Sequence, residues 1–347
     1  MVLGLGQFSH WIRRWKQRLC FGLCGLSIAL AITGCQGFGN ADNTVEITLA
    51  SFVSMKPAYQ RIIPKFEAQW QQQHNQRVSI NQSYSTSGSQ TRALVDGLEA
   101  DVAHLALALD MQKVAQEKLI EPGWEQEFPN GSIVAESVVA LVTRAGNPKQ
   151  INRWQDLTRS DIQVITADPR SSGVARWIFL ALWNSVMQSG GSKAEADDFV
   201  RQLYQNVPVL SRDAREATST FFRQGEGDIL LNYENEIFLA AERGAELDYQ
   251  IPGMNIAIET PVAIVDTNTD KHGNREVVTA FVQYLFSPEA QAEFAKVGFR
   301  PISGERDQTR FPTVTQLAQV EQLGGWQKLQ ADFFAEDALF DRIYQQK

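Results

Sequence analysis

The sequence predicts an α/β fold of two lobes, with mostly parallel sheets, flanking helices and a ligand cleft between the lobes. Three observations carry this. Strand-like and helix-like stretches alternate, which implies right-handed crossovers between parallel strands. The alternation restarts after a strand at Val138–Val142. And 347 residues are long for one core but comfortable for two lobes of ordinary size.

Val45–Leu49 alternates apolar and polar residues, as a half-buried strand does. Tyr59, Ile62, Ile63, Phe66 and Trp70 recur at helical spacing and make one face that packs on a sheet. Val78–Ile80 is a second strand, followed by a polar turn over Ser83–Ser89 and a helix carrying Ala93, Leu94 and Leu98. Asp101–Leu109 is an apolar run like a strand buried on both faces. The second series holds strands at Ile162–Thr166, Val207–Leu210 and Ile229–Leu231, and helices within Ser171–Asn184, Phe199–Tyr204, Thr218–Gln224 and Glu236–Arg243. A strand at Val262–Val265 and helices at Val277–Phe286 and Ala290–Val297 follow, the last begun by Ser287-Pro288, a good helix start. The expected organisation is lobe I from 44–137 plus 261–310, lobe II from 138–260, and a C-terminal helical segment, 311–347, packed on the lobes. Ligand belongs between the lobes, at strand C-terminal ends and helix N-termini.

The first 43 residues read differently. Basic residues Arg13, Arg14, Lys16 and Arg18 precede an apolar stretch from Leu19 to Ile32, too short to span a bilayer comfortably. It ends in Ile32-Thr33-Gly34-Cys35, which resembles the lipobox of bacterial lipoproteins, where the cysteine is acylated and becomes the new N-terminus. The expectation is a lipoprotein signal over 1–34, an anchor at Cys35 and a tether over 35–43. A plain signal peptide with an incidental cysteine is the other reading. Loss of the four basic residues takes the net charge from −8 to about −12. So acidic a chain is a poor partner for nucleic acid. Cys20, Cys24 and Cys35 are the only cysteines, so the folded part has no disulfide, thiolate metal ligand or cysteine nucleophile. No metal site and no cofactor are expected.

Three turns share one design. Ser85-Thr-Ser-Gly-Ser89 and Ser171-Ser-Gly-Val-Ala175 each open a helix, and Asp213-Ala-Arg-Glu-Ala-Thr218 leads into one. A Ser or Thr before a helix is ordinarily only an N-cap. Three helix starts in one cleft, however, offer unpaired N–H groups at positive helix ends, enough to hold a tetrahedral dianion without a salt bridge.

The chain resembles the periplasmic sulfate-binding proteins, of the class II solute-binding fold, from Val45 to its end. The resemblance rests on Gly97-Leu-Glu-Ala-Asp-Val102, Leu105–Asp110, Asn147-Pro-Lys-Gln-Ile151, Ser171-Ser-Gly-Val-Ala-Arg-Trp177, Gly227-Asp-Ile, Glu234-Asn-Glu236, Arg300-Pro301, Gly324-Gly-Trp326 and Phe340-Asp-Arg-Ile-Tyr344. It implies a monomeric, extracytoplasmic binding protein that hands sulfate, or thiosulfate, to the permease of an ABC transporter. Carried over position by position, it implies ligand contacts from the Val53 N–H, the Ser87 hydroxyl, Ser172, Gly173, Val174, the Ala214 N–H and Tyr233. Arg176 and Arg215 would stand behind these, bonding peptide carbonyls. This chain departs from the family pattern in four respects. Val53 replaces an aspartate, Val174 a glycine and Tyr233 a tryptophan, while Asp213 and Glu216 replace glycines and bring two carboxylates near the anion. Phosphate or molybdate would be the alternative ligand.

A serine hydrolase is the rival from another class, with Ser87 as nucleophile and His104 as base. No Gly-x-Ser-x-Gly elbow supports it. His104 reads as a satisfied core histidine, and His74 and His272 as solvated.

Overall fold

A computed structural model describes residues 44–303 and 307–345. The signal, Cys35 and the tether lie outside the described residues.

The first sheet takes β1 (Thr44–Phe52), β2 (Arg77–Ser85), β3 (Val102–His104) and β4 (Ile133–Ser137) from the first half of the chain. Helices α1 (Lys56–His74), α2 (Ser87–Val95) and α3 (Ala108–Gln116) connect them. The chain then crosses at Val138. The second sheet holds β5 (Val139–Arg144), β6 (Val164–Ala167), β7 (Leu210–Ser211), β8 (Ile229–Tyr233) and β9 (Leu247–Gln250), flanked by α4 (Gly173–Gln188), α5 (Lys193–Gln205), α6 (Ala214–Phe222) and α7 (Glu234–Glu242). The return runs through β10 (Met254–Ile256) to β11 (Ile258–Ile264), followed by α8 (Asp266–His272), α9 (Arg275–Leu285) and α10 (Pro288–Lys296). The C-terminal part adds β12 (Gln316–Ala318), α11 (Gly325–Leu329) and α12 (Leu339–Gln345).

The strand orders are β2-β1-β3-β11-β4 and β7-β6-β8-β5-β9. Each sheet is mostly parallel, as expected, with one of its five strands reversed. β1 runs parallel to β2 and β3, and β6 parallel to β7 and β8. But β11 is antiparallel to β3 and β4, and β5 is antiparallel to β8 and β9. The reversed strands, β11 and β5, directly follow the two crossings between sheets, so each enters its sheet from the opposite end. Asn255, on the return crossing, bonds both backbone groups of Val139 on the outward one, at 3.1 and 2.8 Å. The two crossings are thus stitched side by side. Pro261 sits at a register shift in β11, where a missing N–H does least harm.

The apolar run after Asp101 is not one long strand. Only Val102–His104 pair in the sheet, and Ala106–Leu107 are buried because the second lobe covers them: the Trp177 indole, on α4, donates to the Ala106 carbonyl at 2.9 Å. α4 is apolar almost all round, with Trp177, Ile178, Phe179, Leu180 and Leu182 buried. A helix of that kind must be covered on every side. The C-terminal segment supplies one side: Trp326 meets Trp177 edge-on at 4.7 Å, and Phe333 and Phe340 pack on Phe179 at 5.6 and 6.1 Å.

Candidate functional site

The C-terminal ends of β1, β2 and β3 face those of β6, β7 and β8 across a small cavity. From the first lobe it is lined by Val53 after β1 and Ser87 at the start of α2. From the second come Ser172, Gly173 and Val174 at the start of α4, Ala214 at the start of α6, and Tyr233, the last residue of β8. All seven residues named from the sequence as ligand contacts therefore meet in one place.

Four helices, α2, α4, α6 and α7, begin at this cavity, and each first turn carries amides with no intrahelical acceptor. The N-caps differ in what they leave over. Thr86 accepts from the Ser89 N–H and Asp213 from the Glu216 N–H, so both spend their side chains on their own helices. Ser172 makes no side-chain cap bond. Its hydroxyl stays available beside the amides of Gly173 and Val174.

The lobes meet closely here. A Cβ on Gly173 would lie 2.6 Å from the Cβ of Ala106, and one on Gly88 would lie 3.5 Å from the Ser171 carbonyl oxygen. Gly173 lets the positive end of α4 come down onto the first lobe, where any side chain would hold it off.

Two hydroxyls at the cavity are buried without a partner, those of Tyr233 and Ser54, each on a residue only 1% exposed. Burial, with Glu236 and Asp110 nearby, raises the Tyr233 pKa well above its usual value, so the phenol stays protonated. Ser54 was missed from sequence. It sits in Phe52-Val53-Ser54-Met55, without a glycine or a capping pattern to draw attention to it.

Two expectations are corrected. The Ser87 hydroxyl donates to the buried carboxylate of Asp110 at 2.8 Å and accepts from the Ala106 N–H at 3.0 Å. Its single proton is committed, so the hydroxyl fastens α2 to the segment after β3 and what it leaves for a ligand is the backbone amide. Arg215 bonds no peptide carbonyl but grips both carboxylate oxygens of Glu236, at 3.0 and 3.1 Å. Arg176 does donate to a peptide carbonyl, that of Pro169, at 2.8 Å, and also reaches Gln330 at 3.2 Å.

The nearby acids are held by donors of the protein. Asp213 takes the Glu216 N–H and the Arg212 guanidinium, and Glu216 takes the Arg212 N–H. Ser87 and His104 do not pair. His104 is bonded through Nδ1 to the Tyr59 hydroxyl at 2.6 Å, while its Nε2 is buried without a partner, so it is only half satisfied. Burial pulls its pKa down to about 3, and it stays neutral. His272 is not simply solvated: its Nδ1 lies 2.7 Å from Asp101, which raises its pKa. Among the described residues no group of three or more His, Cys, Asp or Glu is placed to hold a metal ion, and no helix is long and apolar enough to cross a membrane.

Two mixed sheets joined by paired crossings, with a small polar cavity where helix starts converge, define a binding protein for a small solute. The chain belongs to the bacterial extracellular solute-binding proteins, whose family model matches residues 47–300, and within them to the sulfate-binding protein family. It is 49% identical over 342 residues to the sulfate-binding protein of Synechococcus elongatus, covering 95% of this chain and 97% of that one. Against the sulfate-binding protein of Escherichia coli the identity is 37% over 325 residues, 92% of this chain and 97% of the relative. The thiosulfate-binding protein of Pseudomonas aeruginosa is 32% identical, covering 92% of this chain and 98% of its own length. Among solved structures, the sulfate-binding protein SubI of Mycobacterium tuberculosis superposes with a TM-score of 0.75 at 32% identity, over 84% of this chain and 99% of that one. A molybdate-binding protein of Azotobacter vinelandii shares the fold, with a TM-score of 0.51 at 16% identity, over 75% of this chain and all of that one.

Proposed function

We propose that this chain is the extracytoplasmic binding component of an ABC-type uptake system and that its ligand is sulfate. The observation that carries the reading is the convergence of helix N-termini and unpartnered hydroxyls on one small cavity whose neighbouring carboxylates are already satisfied. Sulfate at neutral pH carries four acceptor oxygens and no proton, so a site made of donors suits it. The amides of Val53, Ser87, Gly173, Val174 and Ala214 would bind it with the hydroxyls of Ser172 and Tyr233, giving seven donors. Bonds to a charged group contribute about 1.5–3 kcal/mol each. Stripping water from the dianion offsets most of the sum and leaves roughly −8 kcal/mol, the free energy of micromolar binding. The relatives named for sulfate at 49% and 37% identity, above the thiosulfate relative at 32%, support sulfate as the first ligand.

In this reading the protein works as a monomer, held at the membrane by acyl chains on Cys35, and delivers its ligand to membrane permease subunits. Neither metal nor cofactor takes part, and no reaction is catalysed. Native mass spectrometry and titration calorimetry on the purified chain test the reading. The expected result is one sulfate per chain with micromolar affinity. No heat with sulfate, thiosulfate, molybdate or phosphate would overturn it. Mass spectrometry of the membrane-extracted protein tests the anchor, which requires a mature N-terminus at an acylated Cys35.

A further inference from the structure

The residue that neither the motifs nor the family resemblance points to is Ser54. It lies on a single tight turn, Val53–Met55, between β1 and α1, and it lines the cavity beside Val53. The turn packs against α6 of the second lobe. Ser54 is therefore buried at the seam between the lobes, and its hydroxyl has no hydrogen-bond partner.

We infer that the Ser54 hydroxyl is a ligand-binding group, donating to the anion from the first lobe. The proposal rests on the reading of the cavity as an oxyanion site and adds a side-chain donor to it. A buried hydroxyl without a partner costs free energy, so native proteins seldom keep one without a reason. The lining hydroxyls of Thr86 and Ser87 are spent inside the protein, on Ser89 and Asp110. Those of Ser54 and Tyr233 are not, and they stand on opposite lobes: one follows β1, the other ends β8. An anion between them would satisfy both at once. Ser54 adds to the first-lobe amides a freely rotating O–H that can follow whichever oxygen faces that side. Because α6 helps to cover Ser54, the hydroxyl loses solvent as the lobes meet, and a bound anion then supplies the partner that water gave before.

Ser54→Ala separates this role from a structural one, because the two predict opposite signs. Deleting a hydroxyl that bonds nothing in the protein should leave the melting temperature of the ligand-free chain unchanged or raised. The same change should weaken inorganic sulfate by about five- to a hundredfold in titration calorimetry, the range for losing one bond to a charged group. Ser54→Thr, which keeps a hydroxyl, should bind more tightly than Ser54→Ala. If Ser54→Ala binds sulfate as the unsubstituted chain does, or melts lower without sulfate, the inference is wrong while the oxyanion reading stands. If the unsubstituted chain itself fails to bind sulfate, both fall.

Discussion

The guanidinium of Arg300 holds the carboxylate of Glu234 with two hydrogen bonds, Nε to Oε2 at 2.6 Å and Nη2 to Oε1 at 2.9 Å, and the two side chains are only 4% and 0% exposed. The backbones of both are fixed to the outward crossing. Arg300 exchanges hydrogen bonds with Glu136, and the Glu234 N–H donates to the Val138 carbonyl. The pair thus bridges the chain where it passes from one sheet to the other, and Glu234 directly follows Tyr233 at the cavity.

Breaking that pair should cost far more than breaking a surface ion pair. Arg300→Met leaves a buried carboxylate without its strongest partner, and the expected loss is about 3–5 kcal/mol in urea unfolding. Replacing both partners, Arg300→Met with Glu234→Leu, removes the stranded charge and should recover part of the loss. A single substitution within experimental error of the parent would show that the pair contributes nothing.

Ser87 and Ser172 separate two jobs that one residue type performs at this cavity. Ser87→Ala removes a donor to Asp110 and an acceptor for the Ala106 N–H, so the ligand-free protein should lose about 1–3 kcal/mol of stability. Ser172→Ala removes a hydroxyl that caps nothing, so stability should hold while sulfate affinity falls by about 1–3 kcal/mol. Denaturant melts and calorimetry on the two variants check this, and equal effects on both measurements would merge the two roles.

How far the sequence was legible follows from where its signals are local. The helix start at Ser172 could be read because a small polar residue, a glycine and an apolar run are adjacent in the chain, whereas the helix expected at Thr218 begins at Ala214, where no glycine or apolar run marks it. The direction of β5 and β11 could not, since an apolar strand reads the same way up or down and only the crossings decide it. Ser87 illustrates the same limit for side chains. Its place at the cavity was legible, but the partner that takes its proton, Asp110, lies 23 residues away on α3. Ser54 was illegible for the same reason: its burial comes from packing with α6, far along the chain.

Stability should depend on pH through Glu259. It stands opposite Glu136 in the β4–β11 ladder. Burial, then Glu321 and Glu136, push its pKa from 4.5 up to about 7. Between roughly pH 4.5 and 7 the folded chain keeps a proton that the unfolded chain has released. Stability from this group therefore falls as pH rises through that window and stays lower above it. Glu259→Gln removes the penalty. It should be more stable than the parent at pH 8, by on the order of 1–3 kcal/mol, with the gap closing toward pH 5. A gap that is constant with pH, or that widens in acid, would put the carboxyl in a different state.

Tyr233 sets the last expectation, on selectivity. A site made only of donors rejects hydrogen phosphate, whose remaining proton finds no acceptor. A tyrosine hydroxyl can donate or accept, so Tyr233 is a place where that discrimination could relax. Two features argue that it donates. Burial raises its pKa well above the usual phenol value, so it keeps its proton near neutral pH, and its hydroxyl has no acceptor inside the protein. Against a dianion, donation is the favourable orientation, and it leaves one fewer acceptor for a protonated ligand. The two acids at the start of α6 are already bonded to backbone and guanidinium donors, and a free carboxylate facing a dianion in a water-poor cleft would be strongly repelled. Sulfate affinity should therefore be flat from pH 6 to 9, and Tyr233→Phe should lower it by about 1–3 kcal/mol without weakening the ligand-free fold. Phosphate should compete poorly across the same range. Displacement of sulfate by phosphate at comparable concentration, lost in Tyr233→Phe, would identify the phenol as an acceptor and overturn the assignment of sulfate.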